Sequence, residues 1–119
     1  EITRLLDAVH SLYPGKRVAL LFQPHLFSRT RDFMEGFAHA LGAADKVALL
    51  PIYPAREEAI PGIDSEALAQ RIPHSEVLSP EEGVQWLVHQ ACEVKLTVGA
   101  GDIDRLVGRV VEQLKTAQV

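Results

Sequence analysis

Residues 17–22, "RVALLF", and residues 46–50, "KVALL", are short apolar runs in which polar and apolar side chains do not alternate. A strand with one wet face alternates, whereas one covered on both faces reads as continuous grease. Helical spacing flanks both runs. "EITRLLDAVHSLYPG" sets Ile2, Leu5, Leu6, Val9, Leu12 and Tyr13 on one helical stripe, and Pro14-Gly15 stops it. Between the runs, Ser28 to Leu41 reads as a helix capped by Ser28, with Phe33, Phe37, Ala40 and Leu41 inward and Gly42 as terminator. Covered strands alternating with helices predict a three-layer α/β/α domain with a mostly parallel sheet.

The second half continues the alternation. Asp64 or Ser65 caps a short helix over "EALAQRI", and "SEVL" (75–78) is a weak strand. "SPEEGVQWLVHQAC" opens with a cap, a proline at the first helical position and two acids in the first turn. Trp86 shares the register of Val84, Leu87 and Cys92, which predicts that it is largely buried. "EVKLTV" (93–98) is the last strand. Ile103, Leu106, Val107, Val110, Val111 and Leu114 then form the apolar stripe of a final helix.

With 119 residues, the chain is expected to form one domain, residues 1–119. Composition is 47% hydrophobic and 24% charged, which argues against disorder. A net charge of −4 gives no global field for nucleic acid. The longest apolar run, "VALLPIY", is far short of the roughly 20 residues of a membrane span, and no signal-like N-terminus is visible. Cys92 is the only cysteine, so no internal disulfide forms, which fits a cytoplasmic location. It reads as a buried structural thiol on the apolar side of a helix. A first residue Glu1 rather than Met leads us to expect a fragment of something longer.

Ligands of open parallel sheets bind at the C-terminal strand ends, in loops that lead into helices. Three such loops are chemically rich: "QPHLFSRTR", "YPAREEAIPGIDS" and "GAGDID". The first sets Arg29 and Arg31 in the first turn of a helix, where the dipole disfavours cations by a few tenths of a kcal/mol each. An anion there would be held by the dipole, the unpaired N–H groups and the guanidinium forks together, with His25 adding a donor. The alternative is that both arginines splay into solvent or pair with Asp32 and Glu35. The second loop, with Tyr53, Arg56, Glu57 and Glu58, is either a binding rim or a solvated edge. In the third, Asp104 stands where a dinucleotide fingerprint needs its last glycine, so a tight turn with Asp102 as helix cap is the better reading. The five histidines show no ligand spacing, and neither a phosphate loop nor a nucleophile elbow is present.

"FQPHLFSRTRDF", "IYPAREEAIPGIDSEAL" and "TVGAGDIDRLV", in this order and spacing, resemble the C-terminal domain of the alanine-adding Mur ligases of bacterial peptidoglycan synthesis. The likeness covers essentially all of the chain and implies a Rossmann-like fold. It also implies a three-domain enzyme in which this domain closes over a central ATPase domain and presents the amino acid. In that reaction ATP and Mg²⁺ convert the carboxylate of UDP-N-acetylmuramate to an acyl phosphate, which the amine of L-alanine attacks. His25 and Arg29 would then hold the alanine carboxylate, and Arg31 would meet an anion or another domain. No metal is expected on this domain, and none of its residues is expected to be catalytic. The chain departs from the family at Leu26, where many members have arginine, and at Phe27, where tyrosine is common. The related ligase that recycles murein tripeptide differs at the first loop. A free-standing receiver-like module needs a phospho-acceptor aspartate after the middle strand, where this chain has Pro51, Ile52 and Tyr53.

Overall fold

In β1 (Val18–Gln23) every residue is buried, and the side chains divide between two cores. Val18, Leu20 and Phe22 face one helical layer, while Ala19 and Leu21 face the other. β2 (Lys46–Leu49) repeats the division, with Val47 and Leu49 on the first side and Ala48 on the second. A computed structural model describes residues 1–117. Besides β1 and β2 it contains α1 (Ile2–Leu12), α2 (Phe27–Leu41), α3 (Ser65–Ala69), β3 (Glu76–Val77), α4 (Pro80–Val88), β4 (Val94–Gly99) and α5 (Asp102–Ala117). α1, α2 and α3 cover one face through Leu6, Val9, Met34, Leu41 and Leu68; α4 and α5 cover the other through Val84, Leu87, Ile103, Leu106 and Val110.

All strand pairings are parallel, in the order β3-β2-β1-β4. The chain therefore winds outward from β1 through β2 to β3, then returns to lay β4 on the other side of β1. This is the Rossmann-like arrangement, and its winding reverses between β1 and β4. That reversal is where such sheets open a crevice at their C-terminal edge.

The start signals read from the sequence hold for two helices. Asp64 caps α3 by accepting from Ala67 N–H at 2.8 Å, and Ser79 with Glu82 forms a reciprocal capping box on α4. At the other end of α4, Lys95 of β4 donates its ammonium to the carbonyls of Leu87, Val88 and Gln90. A cation at a helix C-terminus satisfies carbonyls that have no partner within the helix.

Several inward assignments need correction. Leu5, Leu12 and Tyr13 of the first stripe are exposed, because only Ile2, Leu6 and Val9 reach the sheet. Phe33 is 56% exposed, and the inward side of α2 is Thr30, Met34, Ala38 and Leu41. Phe33 falls one position off that stripe, at a break in the helix (φ −117°, ψ 18°). Val107 and Val111 lie outside the narrow buried stripe of α5. Trp86 is half-buried against the second core, and Cys92 is buried but lies beyond the end of α4. Gly42 does end α2, in a right-handed rather than a left-handed conformation.

Candidate functional site at the sheet edge

The apolar run of β1 ends in Gln23, which is 1% exposed and therefore needs its amide fully paired. Its Oε1 accepts the N–H of Ile103 at 2.9 Å, and its Nε2 donates to the Pro51 carbonyl at 3.1 Å and to Asp102 at 3.3 Å. One side chain thus ties the exits of β1 and β2 to the start of α5. The bond to Ile103 N–H does the capping expected of Asp102, whose carboxylate instead meets Gln23 and Arg105.

Beyond Gln23 the chain stays paired with the middle loop. Tyr53 N–H donates to the Pro24 carbonyl and Leu26 N–H to the Tyr53 carbonyl, each at 2.9 Å. This pairing sets the ring of His25 parallel to that of Tyr53, with centroids 5.8 Å apart and planes 13° apart. The other support of Tyr53 is Gly101, where a Cβ would fall 2.4 Å from the ring. Leu26 takes a left-handed φ of 70°, an unusual conformation for a branched side chain. There it turns the chain into α2, and Thr30 hydroxyl fastens the turn by donating to the Leu26 carbonyl at 2.8 Å.

Ser28 does not cap α2. Its N–H donates to Glu57 Oε1 at 3.0 Å and its hydroxyl donates to Glu57 Oε2, so a carboxylate from the middle loop occupies the helix start. These donors, the Ser28 hydroxyl foremost, hold the Glu57 carboxyl below the ordinary glutamate range. The sequence left this loop as either rim or edge; Glu57 fastens it to the helix.

The arginines diverge. Arg31 pairs with Asp32 at 2.9 Å, as the solvated alternative anticipated, and this partner raises its pKa further. Glu35 pairs instead with Arg71. Arg29 makes no ion pair among the described residues, and its guanidinium lies over the Phe33 ring, 5.8 Å from the centroid.

Arg29 and His25 line one cleft of about 720 Å³ at the point where the winding reverses. Its walls are Phe22 and Gln23 of β1, Val98 and Gly99 of β4, Phe33 and Phe37 of α2, and the first residues of α1. The cleft is thus largely apolar, with Arg29 and His25 as its cationic and imidazole donors and Glu1 also on its lining. Among the described residues no group of three or more His, Cys, Asp or Glu side chains is placed to hold a metal. None of their helices is long and apolar enough to cross a membrane.

Gln23 and Glu57 were not singled out for these roles in the sequence. A polar residue closing a buried run was the available signal for Gln23; nothing local announces that Glu57 reaches a helix 29 positions away.

No family model matches the chain. Curated relatives do. It is 49% identical over 109 residues to a protein of Cytophaga hutchinsonii, 41% over 116 residues to one of Flavobacterium johnsoniae, and 43% over 116 residues to one of Paenarthrobacter aurescens. All three are named UDP-N-acetylmuramate–L-alanine ligase. The matches take in 90%, 96% and 96% of this chain but only 23%, 26% and 25% of the relatives. The chain therefore spans about a quarter of their length. With the parallel sheet and this extent of identity together, the chain belongs to the UDP-N-acetylmuramate–L-alanine ligase family and corresponds to the C-terminal part of its members.

Proposed function

We propose that this chain is the amino-acid-presenting domain of an ATP-dependent ligase that joins L-alanine to UDP-N-acetylmuramate in peptidoglycan synthesis. The observation that carries the reading is the shared cleft of His25 and Arg29, with Arg29 outside any ion pair among the described residues. A guanidinium fork accepts a carboxylate through two parallel hydrogen bonds, and the imidazole supplies a further donor. Gripping L-alanine by its carboxylate leaves the amine pointing away, available to attack. ATP with Mg²⁺ supplies the activation of the muramoyl carboxylate.

Nucleotide and metal, on the same reading, would be held by the rest of the enzyme. By this reading, residues 1–119 close over a central ATPase domain of a cytoplasmic enzyme. Leu5 and Phe33, exposed at the rim of the cleft, support a covering domain. Arg31, directed to Asp32, is left to a domain contact or a lesser anion contact.

The test is Arg29→Ala in the full-length ligase. Loss of a charge-assisted hydrogen bond, roughly 1.5–3 kcal/mol, should raise the KM for L-alanine about 10- to 150-fold. The KM for the nucleotide sugar should hardly change, and Arg29→Lys should recover only part of the loss. An unaltered alanine KM with the fold intact removes Arg29 from the site. The isolated domain should release no phosphate from ATP.

A further inference from the structure

We infer that Glu57 is a positioning residue for Arg29: it clamps the start of α2, so that Arg29, and not the helix terminus, receives the ligand's carboxylate. The inference rests on the reading of the cleft as the alanine site. Two independent fastenings hold the middle loop against the segment that leads into α2. The first is the main-chain pairing of Tyr53 with Pro24 and Leu26. The second is the carboxylate of Glu57 on both the N–H and the hydroxyl of Ser28, the residue next to Arg29.

A helix start with open N–H groups attracts any anion, and would compete with Arg29 for the carboxylate of a small amino acid. Glu57 fills that position with a tethered anion. The Ser28–Arg29 backbone is then fixed at one end by Glu57 and at the other by buried Thr30. Arg29 has only its side-chain torsions left to adjust, lying against Phe33. Binding costs less when the receiving group is already held in place.

The experiment is a double-mutant cycle in the full-length ligase. Glu57→Ala should raise the KM for L-alanine roughly tenfold, the scale of one charge-assisted hydrogen bond. kcat and the KM for UDP-N-acetylmuramate should each move less than about twofold. Glu57→Gln keeps an acceptor for the Ser28 N–H and should lose less. In the Arg29→Ala background, removing Glu57 should add almost nothing, since a positioning residue acts through the residue it positions. An alanine KM in Glu57→Ala that is unchanged or lowered overturns the inference, as does full additivity with Arg29→Ala. Should Glu57→Ala fail to fold, Glu57→Gln carries the same cycle. If Arg29→Ala itself leaves the alanine KM alone, the reading of the cleft fails and takes this inference with it. If Arg29→Ala acts and Glu57 does not, only the inference fails.

Discussion

The side-chain amide of Gln23 accepts the backbone N–H of Ile103 at 2.9 Å across 80 positions of sequence. The same amide also holds the Pro51 carbonyl, so three loops at the C-terminal edge of the sheet converge on one buried group. Truncation would strand the buried Ile103 N–H and release the Pro51 carbonyl. Gln23→Ala should cost about 2–4 kcal/mol, from unsatisfied polar groups plus a small cavity. Gln23→Glu keeps the acceptor and places a second carboxylate beside Asp102, and should also destabilise. Urea unfolding of the three proteins checks this; a loss below about 0.5 kcal/mol in both variants would refute the role given to Gln23.

Gly101 and Tyr53 make a second test. A methyl group at 101 would overlap the Tyr53 ring, and the φ of 100° there is poor for any side chain. Gly101→Ala should cost roughly 1–3 kcal/mol. Because Tyr53 supports His25, it should also raise the alanine KM of the full-length enzyme. Tyrosine-selective spectra and kinetics identical to the parent would show that the ring has room to move.

Acid should weaken the fold through identifiable carboxylates. Glu57, Glu81, Glu82 and Glu93 all sit below the ordinary glutamate value. Their chief partners are the Ser28 hydroxyl, the Arg109 guanidinium, and the backbone N–H groups of Ser79 and Arg17, in that order. A depressed folded-state pKa gives stability that is complete above the unfolded value, about 4.3, and lost as pH falls through the folded value. The thermal midpoint should hold steady from pH 7 to about 5 and decline below about 4.3. Glu57→Gln and Glu82→Gln should each shallow that decline. A midpoint constant down to pH 3 would contradict the assignment.

Lys95 offers a test remote from the cleft. Its ammonium meets three carbonyls at the end of α4. Lys95→Met keeps the apolar stem but takes the ammonium away from those carbonyls, of which Leu87 still accepts a backbone N–H, and should cost about 1 kcal/mol. Kinetics for all substrates should be unaffected in the full-length enzyme. A change in alanine KM without loss of stability would show that β4 communicates with the site in another way.

The sequence made some of this architecture readable. "RVALLF" and "KVALL" announced strands covered on both faces, because a two-sided core forbids alternation. Ser79-Pro80-Glu81-Glu82 announced a helix start, because a capping box is local chemistry. What local pattern does not encode is which of several apolar residues a helix turns inward. Spacing alone places Phe33 in the core, yet it falls one position off the buried stripe of Thr30, Met34 and Ala38 and lies largely in solvent. Ser28 had the chemistry of a cap, yet it donates to Glu57, because a carboxylate brought from the middle loop takes the helix start. Long-range pairs such as Gln23 with Ile103 show at most a polar residue closing a buried run, and the partner is unmarked. They are properties of the strand order.

The break at Phe33 makes α2 two rods joined end to end. The longer rod is rooted in the core by Met34, Ala38 and Leu41; the shorter carries Arg29 and ends at the Ser28–Glu57 fastening. Arg29 stands four residues from the joint, a lever of about 6 Å at 1.5 Å per residue. Thr30, fully buried on the same short rod, and the Ser28–Glu57 fastening hold that arm in place. On the proposed reading, Phe33 bears on amino-acid recognition through the ring beneath the Arg29 guanidinium.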